Sequence, residues 1–136
     1  MSEFREKWPE MRMKHLELVQ NALSRMGTNS AGLKGFCMGI VAALIALAGA
    51  IDKPRVLFLG LPIVFAFAVL DAAYLSLERG FRNHYDELRQ RPLDQEPDFH
   101  ITPSGNPSLT KAFFSWSVVG FYGVAVTIVV VTGLLI

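Results

Sequence analysis

Apolar positions in this chain gather into three runs separated by polar segments. The runs are Gly35 to Ile51, Val56 to Leu77 and Ala112 to Ile136, holding 17, 22 and 25 residues. Crossing ~30 Å of hydrocarbon takes about 20 helical residues at ~1.5 Å each. Each run reaches that length, the first once Leu33 and Lys34 are included. None holds Lys or Arg, and only the second holds an acid, Asp71. The pattern predicts an all-α integral membrane protein with three transmembrane helices.

The polar segments carry their own periodicity. Trp8-Pro9 reads as a break after a short polar start. From Glu10, the positions His15, Leu16, Val19, Ala22, Leu23 and Met26 recur at steps of three and four. This predicts an N-terminal amphipathic helix ending near Gly27, with Thr28-Asn29-Ser30 capping the next helix. The helix has three possible seats: the inner lipid surface, the other polar segment of its own or a neighbouring subunit, or a separate partner. Asp52-Lys53-Pro54-Arg55 makes a tight turn, so spans one and two form a hairpin.

Span two does not stop at the lipid surface. Leu77, Phe81, Tyr85 and Leu88 continue its apolar spacing, and the next proline is Pro92. One helix of about 35 residues is therefore predicted, extending beyond the bilayer. Pro92, Pro97, Pro103 and Pro107 then enforce a non-helical stretch over Asp94 to Asn106. Ser108 is placed to cap span three, whose Phe113, Phe114 and Trp116 form an aromatic girdle. The resulting division is a cytoplasmic helix over 1–34, a transmembrane hairpin over 35–77, a cytoplasmic helix and Pro-rich loop over 78–110, and span three over 111–136.

Charge sets the expected orientation. The segments before span one and between spans two and three hold eleven Lys and Arg residues, against Lys53 and Arg55 in the short turn. The positive-inside bias puts the N-terminus and the long loop in the cytoplasm and the C-terminus at or beyond the outer face. Ala48-Gly49-Ala50 resembles a signal-peptide cleavage site, but 34 residues before the apolar run is too long for a signal's leading region. A lone cysteine, Cys37, excludes an internal disulfide and reads as a packing residue.

Candidate chemistry is sparse. A carboxylate at membrane depth costs roughly 2.5–3.5 kcal/mol on insertion scales, so Asp71 is a candidate functional or assembly site. Asp71, Tyr74 and Glu78 share a helix face and are candidate gate or pore residues. Asp71 sits about six residues, hence ~9 Å, below the inner surface. Its expected partners are Ser30 or Lys34 at the foot of span one, or Tyr74 or Arg79 of a neighbouring subunit. Structural fixation of the fold is the competing role. Gly35, Gly39 and Ala43 form a stripe for close helix packing, within or between subunits.

Arg79, Arg82, Arg89 and Lys14 are candidate anion ligands, offset by Glu78, Asp86 and Glu87. His15, His84 and His100 lack metal spacing, and the chain has no phosphate loop, nucleophile elbow or paired catalytic carboxylates. The expectation is a protein that is not an enzyme and holds no metal or cofactor.

Two stretches, Lys14 to Gly35 and Leu70 to Arg82, resemble a group of small bacterial three-span membrane proteins from anti-phage defence loci. The group includes the membrane effector of the Hailong system. The resemblance covers roughly Lys14 to Tyr85; Ser76 and Gly80 are smaller than its pattern expects. It implies a homo-oligomeric ion channel, a tetramer by expectation, opened on the cytoplasmic side by an oligodeoxyadenylate or other nucleotide messenger from a nucleotidyltransferase. Opening would depolarise the membrane and produce abortive infection, with Asp71, Glu78 and Arg82 as the family-like positions. The rivals are a non-channel anchor or scaffold for a cytoplasmic partner, and a constitutive pore.

Overall fold

The structure is a computed structural model describing residues 2–136. All regular structure among those residues is helical: α1 (Ser2–Glu6), α2 (Trp8–Ile51), a 3-10 turn (Pro54–Leu59), α3 (Gly60–Gln90), α4 (Leu109–Phe113) and α5 (Trp116–Leu135). Three of these helical stretches are long and apolar enough to cross a membrane.

The chain divides into two compact units. One, the polar unit, comprises residues 1–28 and 76–107; the other, the apolar unit, comprises 29–75 and 108–136. In the apolar unit, α2 contributes Cys37, Val41 and Ala48 to the core, α3 contributes Val64, Ala68 and Ala72, and α5 contributes Val118, Tyr122, Ala125 and Val129. Many of these are small, so the helices approach closely, as association in lipid requires. Their outward residues, among them Phe36, Phe65, Val124 and Leu134, are exposed and apolar. That suits a hydrocarbon surround and no aqueous one.

Two boundaries differ from the sequence expectation. α2 runs without interruption through Gly27 and Thr28-Asn29-Ser30, where a cap was expected. Thr28 donates its hydroxyl back to the Ser24 carbonyl instead, a bond that a mid-helix threonine uses in place of capping. Ser108 does cap a helix, accepting from the Lys111 N–H, but that helix is the five-residue α4. Span three starts afresh at Trp116. The break after Trp8-Pro9 falls instead at Lys7, and Pro9 occupies the first turn of α2, where its missing N–H costs little.

In the polar unit, the first part of α2 buries Arg12, His15 and Val19, while α3 buries Gly80, His84 and Leu88. Residues 92–107 have no regular structure, as their prolines dictate, and fold back over α3. Ser104 donates its N–H to the Gly80 carbonyl at 3.0 Å. A methyl group on Gly80 would lie 2.6 Å from Pro103 Cβ and 3.3 Å from Pro107 Cγ. The small residue at position 80 is thus what admits the loop. Gly80→Ala should gain about 1 kcal/mol of helix propensity yet lower the thermal midpoint by several degrees, because the rigid prolines must move away. A circular-dichroism melt in detergent checks this; an unchanged or higher midpoint would show the loop to be loosely held.

Candidate functional site

Asp71 is 1% exposed and lies on α3 within the apolar unit. Both partners expected from its own chain meet it there. Ser30 donates its hydroxyl to Oδ1, and the Lys34 ammonium lies 2.5 Å from Oδ2. Lys34 also donates to Ser30 Oγ at 3.1 Å, so acid, hydroxyl and ammonium close a triangle. Ser30 and Lys34 are i, i+4 neighbours and therefore share a face of α2.

The third helix completes the junction. Lys34 Nζ lies 5.8 Å from the Phe121 ring centre and 6.0 Å from that of Tyr122, both on α5. Aromatic faces stabilise a partly desolvated ammonium. The Tyr122 hydroxyl is buried near the Asp71 carboxylate but outside hydrogen-bonding geometry. All three apolar helices thus converge on one ion pair, which is neutral as a whole. The ammonium and the Ser30 hydroxyl give the buried carboxylate the counter-charge and donor that a lone buried acid would lack. Chemically it is a polar pin between three helices.

Sequence reasoning counted Lys34 among the loop cations and also named it, beside Ser30, as a partner of Asp71 at the foot of span one; the structure brings both to the carboxylate.

The other gate candidates separate from Asp71. Tyr74 belongs to the same unit and is partly buried. Glu78 belongs to the polar unit, where it pairs with Arg82 at 2.6 Å. With Gln20, Ser24, Tyr85 and Asp86 this pair lines an open groove of about 530 Å³. The anion candidates are mostly engaged by acids on their own helix: Lys14 with Glu17 at 3.1 Å and Arg89 with Asp86 at 3.7 Å. Among the described residues Arg79 forms no ion pair, and it is exposed.

The small-residue stripe is not used for packing within the chain. Gly35, Gly39 and Ala43 are all exposed, and a methyl group on either glycine would meet nothing within 4 Å. Of the two packing alternatives, the one within the chain is thereby corrected: α2 packs internally through Cys37, Val41 and Ala48. The stripe remains open to contact outside the chain.

Compared with known families, characterised proteins and solved structures, the chain matches none. The geometry of the junction therefore carries the functional argument alone.

Proposed function

We propose that this chain is a membrane effector of bacterial anti-phage defence, assembling as a homo-oligomer into an ion channel that a nucleotide messenger opens. The observation that carries the reading is the Ser30–Lys34–Asp71 pin. A single buried ion pair on which three apolar helices converge is a bistable element: made, it holds them together; broken, it leaves charges that require water or new partners. Such an element suits a gate that is shut at rest. The exposed Gly35, Gly39 and Ala43 face supports assembly, since small residues let helices of neighbouring subunits approach closely.

In this reading the N-terminus and the polar unit lie in the cytoplasm and the C-terminus in the periplasm. Lys14, Arg79, Arg82 and Arg89 of several subunits face the messenger. Three of the four must exchange a carboxylate for a phosphate when it binds, which makes opening conditional on a multivalent anion such as an oligodeoxyadenylate.

Proteoliposomes containing the purified chain test the proposal. Ion flux should be low, rise on addition of oligodeoxyadenylates, and change in amplitude or threshold in Asp71→Asn while the oligomer persists. Flux in Asp71→Asn identical to wild type would remove the gating role. A second reading, an anchor for a cytoplasmic partner, draws on Met13 and Leu18, which are 68% and 46% exposed on the N-terminal part of α2. It predicts no flux under any nucleotide, and an unchanged membrane potential in cells that also express the partner enzyme.

A further inference from the structure

The groove beside Glu78 and an outward face of α2 carry opposite charge, and both belong to the polar unit. A second open groove of about 460 Å³ continues the first, sharing Gln20 and Tyr85 with it. Together they are lined by four carboxylates, those of Glu10, Glu17, Glu78 and Asp86, against the two cations Lys14 and Arg82. Leu16, Leu23 and Tyr85, all partly buried, add an apolar lining. Such a surface is complementary to a helix face that combines an apolar side chain with positive charge.

The chain itself carries that face. Leu18 and Arg25 do not line the groove, and they lie two helical turns apart on one side of α2, about 10 Å along its axis. Leu18 is 46% exposed. Arg25 is exposed and, among the described residues, forms no ion pair. The heights of the two surfaces also agree. α2 and α3 run antiparallel here, with the His15 and His84 rings 5.9 Å apart and both bonded to the His100 carbonyl. Three residues along α2 from His15, Leu18 is therefore level with Phe81. Three more put Asn21 level with Glu78, and Arg25 lies one turn beyond, within reach of a long side chain.

We propose that the groove seats a second copy of this chain: the Leu18–Arg25 face of one subunit docks, head to tail, into the Gln20–Glu78 groove of the next. Copies related by rotation about an axis along these helices meet at equal height, so Leu18 comes opposite Gln20 and Arg25 comes within a turn of Glu78. The docking face and the groove are different surfaces, which makes the contact heterologous, the kind that builds rings. Glu78 already holds Arg82 at 2.6 Å, and a carboxylate has lone pairs left for a second guanidinium. The Asp86–Arg89 pair, at 3.7 Å between exposed side chains, leaves Asp86 only weakly neutralised. This inference rests on the homo-oligomer of the reading above and names the surfaces that build it in the polar unit.

Two full-length variants with distinct tags, Leu18→Cys and Gln20→Cys, test the contact when co-expressed and oxidised in membranes. Disulfides should join the two tags, since the docked geometry brings these positions to the roughly 7 Å between Cα atoms that a bridge tolerates. Neither variant expressed alone should link to itself, and the wild-type chain, whose one cysteine is buried, is the blank. In sedimentation of the solubilised chain, Arg25→Glu should weaken association about tenfold or more, because it sets like charges together. Adding Glu78→Arg should restore most of that loss, which a variant that merely misfolds would not do. Self-linking of Leu18→Cys would mean that the same face meets on both copies. An oligomer that survives Arg25→Glu and gives no mixed link would use another face. Either result overturns the inference and leaves the homo-oligomer standing, whereas a wild-type chain that sediments as a monomer removes both.

Discussion

Lys34→Met should destabilise the apolar unit by about 3–5 kcal/mol, the range for removing one partner of a buried pair. The reason is an asymmetry in escape. Asp71 is 1% exposed and has no route to water, whereas the Lys34 side chain is 20% exposed at the edge of the unit. Without the ammonium, a buried carboxylate keeps only hydroxyl neighbours, those of Ser30 and Tyr122, and no counter-charge. Asp71→Asn is milder, because a neutral amide still accepts from Ser30 and the long lysine stem can carry its charge outward. Adding Asp71→Leu to Lys34→Met should then recover most of the loss, since an apolar pair of similar volume replaces a pair left half-empty. Denaturant titration in mixed micelles reads all three. A double variant less stable than Lys34→Met alone would mean that the pin contributes specific packing beyond its charges.

The three helices long and apolar enough to cross a membrane were legible in the sequence, because each apolar run has the length and lacks the internal charges that would break it. The long α3 was legible for a related reason: Leu77, Phe81, Tyr85 and Leu88 kept the helical period, and Pro92 marked the stop. The continuity of α2 was not. Gly27 and Thr28-Asn29-Ser30 carry strong local signals for a helix end and a new cap. Contacts distant in sequence overrode them: the Ser30 hydroxyl that a cap would need is committed to Asp71, 41 residues away. A mid-helix glycine at about 1 kcal/mol is a cost that such contacts can outweigh.

The candidate site was half legible. Asp71 announced itself as the one acid in an apolar run, and Ser30 and Lys34 were among the partners expected from their place at the foot of span one. The oxygen-to-ring convergence around His15, His84 and His100 could not be read in this way. It joins residues 16 and 85 apart, and neither spacing leaves a periodic trace. The unused Gly35, Gly39 and Ala43 face shows the complementary limit. A stripe of small residues reveals a capacity for close packing, while only coordinates say which side of the helix the chain itself has already covered.

Arg12 is the second position where a large effect is expected, although sequence reading assigns it nothing beyond positive charge. Its side chain is buried in the polar unit, 6% exposed, and its guanidinium donates to Leu88 O at 3.1 Å, Arg91 O at 3.0 Å and Pro92 O at 3.0 Å. Leu88 belongs to the last turn of α3, at the negative end of the helix dipole, and Arg91 and Pro92 follow directly after it. Leu88 O also accepts the Arg91 N–H and Pro92 O the Gln95 N–H; proline at position 92 has no N–H to add, and the guanidinium supplies the further donors. Arg12→Met should cost about 3 kcal/mol, the upper value for one hydrogen bond to a charged group, since the more exposed carbonyls regain water. Arg12→Lys should restore less than half of this despite keeping the charge, because a compact ammonium cannot fork across three acceptors. Amide exchange over residues 84–91 and chemical denaturation measure the loss. If Arg12→Lys matched wild type, the contribution of Arg12 would reduce to charge against the helix dipole, and the forked geometry would be incidental.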